Sequence, residues 1–290
     1  MMRAAQARKH QIFFTEQHQL SWKSEVIASS TRLSLTDNDE DWYRAHETKP
    51  RALKDFDAVL MRKDPPFDLE YVVGTWLLSA AVREGARVFN APDAIRDHNE
   101  KLAIAEFARF CAPTLVTREA TRIQAFIDEQ RDVVVKRLDV MGGENVFRVR
   151  HDDPNRNVIV EIMCANTARS VMAQRFIPEI SEGDKRILLI GGKAVPHCLA
   201  RIPKPGESRG NLAAGARGVA QPLSARQREI AAELGPILAK RGLLLVGLDV
   251  IGDYLTEVNV TSPTCFREIQ DQTGFDVVGM FMDALERKVQ

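Results

Sequence analysis

The sequence predicts an α/β unit followed by an α+β unit, and three observations carry that prediction. Short apolar strands and a helix alternate between residues 57 and 90. Two glycine-centred hairpins dominate the second half. Between those hairpins lies a long polar stretch, residues 203–218, with no apolar period. A chain of 290 residues leaves room for two or three packed units at about 100–200 residues each.

Each element follows from local chemistry. The opening reads as a short helix, then a strand at Ile12-Phe13-Phe14 and a loosely alternating, partly exposed strand from Glu25 to Leu35. Asp37 to Asp41 is a polar turn or a helix start. The apolar strand Asp57 to Met61 must end before Pro65-Pro66, since proline can continue neither ladder nor helix. Asp68 caps a helix from Leu69 to Glu84, and Gly85 stops it. Arg87 to Asn90 is the next strand and Pro92 opens a short helix. Strand, helix, strand in that order predicts a parallel sheet in the first hundred residues. Asn99 to Phe110 reads as helix, then Thr114 to Thr117 and Val133 to Arg137 as strands around a helix from about Thr121 to Gln130. Gly191-Gly192 joins Ile187–Ile190 to Ala194–Ala200, and Gly252-Asp253 joins Leu243–Ile251 to Tyr254–Val260. A long helix, Ser224 to Lys240, separates the two hairpins.

Composition excludes several classes of function. Forty Lys+Arg balance forty Asp+Glu, which argues against coating nucleic acid or an anionic membrane. No apolar run approaches the ~20 residues of a membrane span. The start, Met1 to Arg8, lacks the apolar core of a secretory signal. Cys111, Cys164, Cys198 and Cys265 form no C-x-x-C pair, so a zinc ribbon is excluded and free thiols in a reducing cytoplasm are expected. The chain has no P-loop, no dinucleotide fingerprint, no nucleophile elbow and no zinc helix.

The second hairpin holds the most informative residues. A three-residue loop centred on Asp253 would set Asp249 and Glu257 directly opposite each other, with Asn259 on the same face. Three oxygen donors among Val, Ile and Leu suit Mg²⁺ bound together with phosphate oxygens. A two-residue turn would break the facing pair, and two solvent-facing acids on an edge hairpin are the alternative. Among the single cations Lys101, Lys136, Arg186, Arg201 and Arg209, Lys136 is the sharpest. It follows Val133-Val134-Val135 within an apolar strand, where an unpaired ammonium is costly, so it must reach water, a carboxylate or a phosphate. The following Leu138 to Gly143 offers backbone N–H groups like a phosphate cradle, or is a plain glycine turn. Arg62 stands at a strand end, where open α/β sheets place ligand contacts, and its fork suits a carboxylate.

Several strings resemble bacterial glutathione synthetases: residues 61–68 (Met-Arg-Lys-Asp-Pro-Pro-Phe-Asp), residues 196–203 with 206–215, and residues 256–265 (Thr-Glu-Val-Asn-Val-Thr-Ser-Pro-Thr-Cys). The match runs from about Gln6 to the C-terminus. The resemblance implies the ATP-grasp fold behind an N-terminal parallel α/β domain. Residues 1–100 would bind substrate and residues 101–290 would form the ATP-grasp domain, with a nucleotide lid subdomain at about 101–180 and a catalytic subdomain at about 181–290. It also implies a strand and loop ahead of Met1, so the first domain is expected to lack its first strand.

The activity implied is ligation of γ-glutamylcysteine to glycine, using ATP and two Mg²⁺ ions for which Mn²⁺ can substitute, through an acyl phosphate. Lys101, Lys136, Gly142 and Gly143 would hold the ATP phosphates. Gln174, Phe176 and Ile177 would read adenine, and Asp184 the ribose. Arg186, Arg201 and Arg209 would be catalytic, Asp249, Glu257 and Asn259 would bind metal, and Arg62 and Ser262 would seat γ-glutamylcysteine. Residues 202–217 would be a mobile lid, and the subunits a homo-oligomer. Cys198 and Cys265 are expected to pack rather than react. Arg137, Val140 and Ala216 depart from the family pattern, where proline, glycine and glycine are usual. A β-branched residue resists φ > 0, so the loop at Val140 is expected to close over ATP less easily. A ligase with another amine acceptor and an inactive nucleotide-binding relative are the alternative readings.

Overall fold

The structure, a computed structural model, describes residues 1–140, 143–207, 209–212 and 215–290. Helix α1 (Met2–Ala7) leads into strands β1 (Ile12–Phe14), β2 (Leu20–Trp22), β3 (Val26–Leu35) and β4 (Tyr43–Ala52). β3 organises this sheet: β1 and β2 pair with its two ends and β4 runs along it, all antiparallel. Strand β4 has no counterpart in the sequence reading. Residues 43–50 are exposed throughout and lack apolar alternation, so pairing with β3, by backbone and by the Thr31–Thr48 and Ser34–His46 side-chain bonds, makes them a strand. Lys49 and Pro50 blunt this outer strand against further pairing.

The predicted parallel pair is present but small: β5 (Val59–Leu60) lies beside β6 (Val88–Phe89), linked by α2 (Leu69–Arg83). Antiparallel pairing therefore dominates the first unit, contrary to the order of elements alone. Asp68 caps α2 by accepting from the Tyr71 N–H at 2.8 Å. Tyr71, Leu78 and Ala81 of α2 pack against Val26 and Ala28 of β3. After α3 (Pro92–Asp97), residues Leu102–Phe110 wind as a 3₁₀ helix broken at Phe107, in place of the expected regular helix. Ala103, Ile104, Phe107 and Phe110 are its buried residues, and the three-residue spacing of the last three matches the 3₁₀ repeat.

The central unit is β7 (Thr114–Thr117), α4 (Ala120–Gln130), β8 (Asp132–Arg137), β9 (Val146–Arg150), α5 (Arg156–Cys164) and β10 (Val171–Arg175). Its strands lie in the order β7-β10-β8-β9, all antiparallel. Val133, Val135, Val171 and Ala173 face α4 and α5, burying against Ile123, Ile127, Val160 and Met163. With a period of two, Lys136 and its cross-strand neighbour Met172 take the other face. Met172 joins the core of the next sheet. A single alternation thus packs one face of β8 and turns Lys136 toward the site.

The last sheet comprises β11 (Asp184–Ile190), β12 (Lys193–Ile202), β13 (Arg217–Pro222), then, after α6 (Ala225–Lys240), β14 (Leu245–Ile251) and β15 (Tyr254–Asn259), in the order β13-β12-β11-β14-β15. Helices α7 (Phe266–Thr273) and α8 (Val277–Val289) close the chain. Ile187 and Leu189 of β11 bury in the core with α6, while Leu188 and Ile190 bury in the core with α7 and α8. Burial on both faces explains the unbroken apolar run Ile187 to Ile190. Asn90 ties the first unit to this sheet: its side-chain amide donates to the Leu245 and Val260 carbonyls at 2.7 and 2.8 Å and accepts from the Leu245 N–H at 2.9 Å. Among the described residues no helix is long and apolar enough to cross a membrane.

Candidate active site

Along β14, Val246, Leu248 and Val250 turn to the α6 side, which leaves Gly247 and Asp249 on the opposite face. The hairpin turn is Gly252-Asp253, with Ile251 paired to Tyr254, so the turn holds two residues and not the expected three. The facing pair survives because a β-bulge follows: Val250 pairs with Leu255, but Asp249 pairs with Glu257 and Gly247 with Asn259. The Asn259 amide nitrogen donates to Asp249 Oδ2 at 3.1 Å and to the Gly247 carbonyl at 3.3 Å.

Two arginines converge on Asp249. Arg186, directly across on β11, grips both carboxylate oxygens at 2.5 and 2.9 Å. Arg201 of β12 reaches Asp249 Oδ2 at 2.9 Å and Asp184 Oδ2 at 2.6 Å. Gly247 makes this possible: a Cβ there would lie 2.9 Å from Arg186 Cδ and from Pro263 Cβ. Burial alone would raise the Asp249 carboxyl, but the two guanidiniums overturn this and hold it well below the usual carboxylate range. Asp184 has no such surplus of cations. Burial pushes its carboxyl up to about 7 against Arg201, and its Oδ1 is buried without a hydrogen-bond partner.

Two lysines complete the cluster. The Lys101 ammonium sits 2.5 Å from Glu100 Oε1, 2.8 Å from the Val140 carbonyl and 3.7 Å from Glu257 Oε1. Lys136 is 7% exposed, and its ammonium reaches Gln174 Oε1 at 3.4 Å. Burial lowers the Lys136 pKa and raises that of Glu100, which Glu257 raises further. Gln174 is itself pinned through its amide nitrogen to Thr114 at 2.9 Å. Glu100 did not stand out in sequence; its place beside Lys101 is the only signal that could have marked it.

The remaining predicted residues fall around this cluster. Arg62 donates to the Pro263 carbonyl at 2.8 Å, while its second terminal nitrogen is buried without a partner. Burial draws the Arg62 pKa down to about 10. Ser262 hydrogen-bonds Asp64, so Arg62 and Ser262 meet at one junction between the first unit and the last sheet. Phe176 and Ile177 follow the end of β10, where the strand stops two residues short of Ile177. The Arg148 guanidinium covers the Phe176 ring at 3.6 Å. Gly142 lies outside the described residues. Gly143 has φ +82°, and a Cβ on it would fall 2.7 Å from Asn211 Oδ1 and 3.2 Å from Arg209 Cδ, so the glycine loop and the polar loop touch. Arg209 pairs with Glu207 at 2.6 Å.

Neither Val140 nor Ala216 has positive φ, and Arg137 is held by Asp139 at 2.5 and 2.9 Å. Cys198 and Cys265 are buried, and all four cysteines are free.

Chemically, the cluster sets Lys101, Lys136, Arg186 and Arg201 against Glu100, Asp184, Asp249 and Glu257. Among the described residues no three His, Cys, Asp or Glu side chains converge to hold a metal ion by themselves. Asp249, Glu257 and Asn259 instead offer oxygens from one face, a set that fits a hard cation sharing phosphate oxygens with them. The poorly partnered Lys136 ammonium and the orphaned Asp184 oxygen are groups suited to a polyanionic ligand that carries hydroxyls.

Residues 100–274 match the family model described as prokaryotic glutathione synthetase, ATP-grasp domain, and residues 1–96 match that for the N-terminal domain. A glutathione synthetase of Ralstonia nicotianae is 60% identical over 288 residues, spanning 99% of this chain and 89% of the relative. One of Nitrosomonas europaea is 57% identical over 293 residues, spanning 100% and 92%. Among solved structures, D-cycloserine synthetase DcsG superposes with a TM-score of 0.65 at 17% identity, covering 83% of this chain and 86% of that one. The ATP-grasp ligase PsnB, complexed with a minimal precursor, also gives 0.65 at 17%, covering 100% and 94%. At such identities these structures carry the fold alone.

Proposed function

The chain belongs to the prokaryotic glutathione synthetase family of ATP-grasp ligases, and from that premise we propose that it joins γ-glutamylcysteine to glycine at the expense of ATP. The observation that carries the assignment of roles is the convergence of Arg186, Arg201, Lys101 and Lys136 on the facing pair Asp249 and Glu257.

A carboxylate is a poor acyl donor, so its oxygen must first take a phosphoryl group from ATP. That transfer needs positioning and neutralisation of charge more than a protein nucleophile. Lys136 and Lys101 hold the phosphates, with Gly142 and Gly143 cradling them. Gln174, Phe176 and Ile177 line the adenine site and Asp184 meets the ribose. Arg186 and Arg201 fix Asp249 as an anion and, with Arg209, face the charge that develops on the moving phosphoryl group. Asp249, Glu257 and Asn259 hold two Mg²⁺ ions, or Mn²⁺ in their place, which neutralise phosphate charge when bound. Arg62 and Ser262 seat the γ-glutamylcysteine carboxylate. The acyl phosphate would hydrolyse in open water, so residues 202–217 act as a lid over it before the glycine amine attacks. The units 1–100 and 101–290 carry peptide substrate and nucleotide respectively, the latter divided near residue 180. The protein works as a cytoplasmic homo-oligomer.

The route is tested with γ-glutamylcysteine labelled with ¹⁸O in its cysteinyl carboxylate. One labelled oxygen should leave with inorganic phosphate, because the C–O bond of the acyl phosphate breaks when the amine attacks. Unlabelled phosphate from a completed ligation would rule the acyl phosphate out.

A further inference from the structure

We infer that Thr256 is a positioning residue, whose hydroxyl pins the β-bulge that brings Asp249 and Glu257 face to face; this rests on the metal-binding reading above. The ladder between β14 and β15 changes register at one point. Ile251 pairs with Tyr254 and Val250 with Leu255, then Asp249 pairs with Glu257, leaving Thr256 without a cross-strand partner. Without the bulge, a two-residue turn would set Thr256 opposite Asp249 and Glu257 opposite Leu248. Glu257 would then enter the apolar face that Leu248 and Val250 share with α6. The bulge instead lets Leu255 and Val258, an odd number of residues apart, both enter that core, while Glu257 and Asn259 join Asp249 on the other face.

Thr256 is 5% exposed and its hydroxyl donates to the Asp249 carbonyl at 3.1 Å. The extra residue is thereby tied to the residue whose carboxylate the bulge aligns. Thr256 is not among the residues assigned to nucleotide or metal; it acts through the spacing of Asp249 and Glu257. Groups that orient metal ligands in this way typically matter about 10–100-fold in metal affinity.

The test measures Mn²⁺ binding by the full chain with a non-hydrolysable ATP analogue, from the EPR signal of free Mn²⁺, alongside melting temperature. Thr256→Val keeps the shape and loses the hydroxyl, and it should weaken Mn²⁺ about 10–100-fold. Thr256→Ser keeps the hydroxyl and should restore binding. Val and Ser variants that bind Mn²⁺ alike would overturn the inference, whatever their melting temperatures. If the Val variant does not fold, Thr256→Ala against Thr256→Ser makes the same comparison. Glu257→Gln separates the two levels. If it binds Mn²⁺ as tightly as the parent, the metal reading fails and this inference with it; if it loses Mn²⁺ while Thr256→Val does not, only the role of Thr256 fails.

Discussion

Replacing Lys136 with methionine should make the free protein more stable and the liganded protein far weaker. Lys136 is 7% exposed and, among the described residues, the one hydrogen bond of its ammonium is to Gln174 Oε1 at 3.4 Å. Burial depresses its pKa, with Glu257 opposing and Lys101 adding to the depression. Methionine has a similar length and no charge to desolvate, so the free protein should gain about 1–3 kcal/mol. The gain has a definite pH dependence. A lysine with a depressed folded pKa costs its full amount below that folded pKa, where both states are protonated; above it the folded state gives up the proton. That cost closes as pH rises toward 10.5, the ordinary lysine value, where the unfolded chain also loses its proton. Nucleotide binding should move the other way. Loss of one cation against phosphate removes about 2–4 kcal/mol at an effective dielectric of ~20, or about 30- to 900-fold in affinity. Thermal melting without ligand and calorimetric titration with a non-hydrolysable ATP analogue measure the two arms. A variant that melts lower than the parent and binds the analogue equally well would refute the reasoning.

Three further outcomes follow from the same structure. Asn90→Ala leaves two carbonyls and one N–H of the last sheet unpaired and buried, so the urea midpoint should fall by the equivalent of about 3–5 kcal/mol; a loss under about 1 kcal/mol would mean that the junction does not rest on Asn90. Gly247→Ala puts a methyl 2.9 Å from Arg186 Cδ, so kcat should drop by about tenfold or more while stability changes by about 1–3 kcal/mol, and an unchanged kcat would show that Arg186 tolerates displacement. Burial pushes Cys111 and Cys198 up to about 11, so at pH 8 each should alkylate about 100-fold more slowly than a free thiol of pKa 9.0, quickening about tenfold per pH unit up to pH 10; fast alkylation of either by mass spectrometry would contradict this.

Much of the site was legible because its residues break local rules. A lysine after Val133-Val134-Val135 and two acids in an apolar hairpin each demand an explanation that packing does not supply. The hairpin shows where such reading stops. Asp249 and Glu257 do face each other, but through a two-residue turn and a bulge, not through a longer loop. The odd spacing of Leu255 and Val258 is the trace the bulge leaves in sequence. Strand β4 left no trace, since an exposed outer strand needs no apolar alternation to pair with its neighbour. The 3₁₀ helix before β7 carries buried residues at a spacing that a regular helix also tolerates, so its winding is decided by the neighbouring sheet. Arg201 meets Asp184 across one hairpin, but its second contact, to Asp249, reaches a strand beyond α6, and no local pattern encodes that.

The most direct measurement is ADP release by the purified chain with Mg-ATP and γ-glutamylcysteine, with and without glycine, together with the product mass. The account predicts ADP release that depends on glycine, a tripeptide product, and loss of both in Glu257→Gln. ATP binding without glycine-dependent release, or a product carrying another amine in preference to glycine, would contradict it.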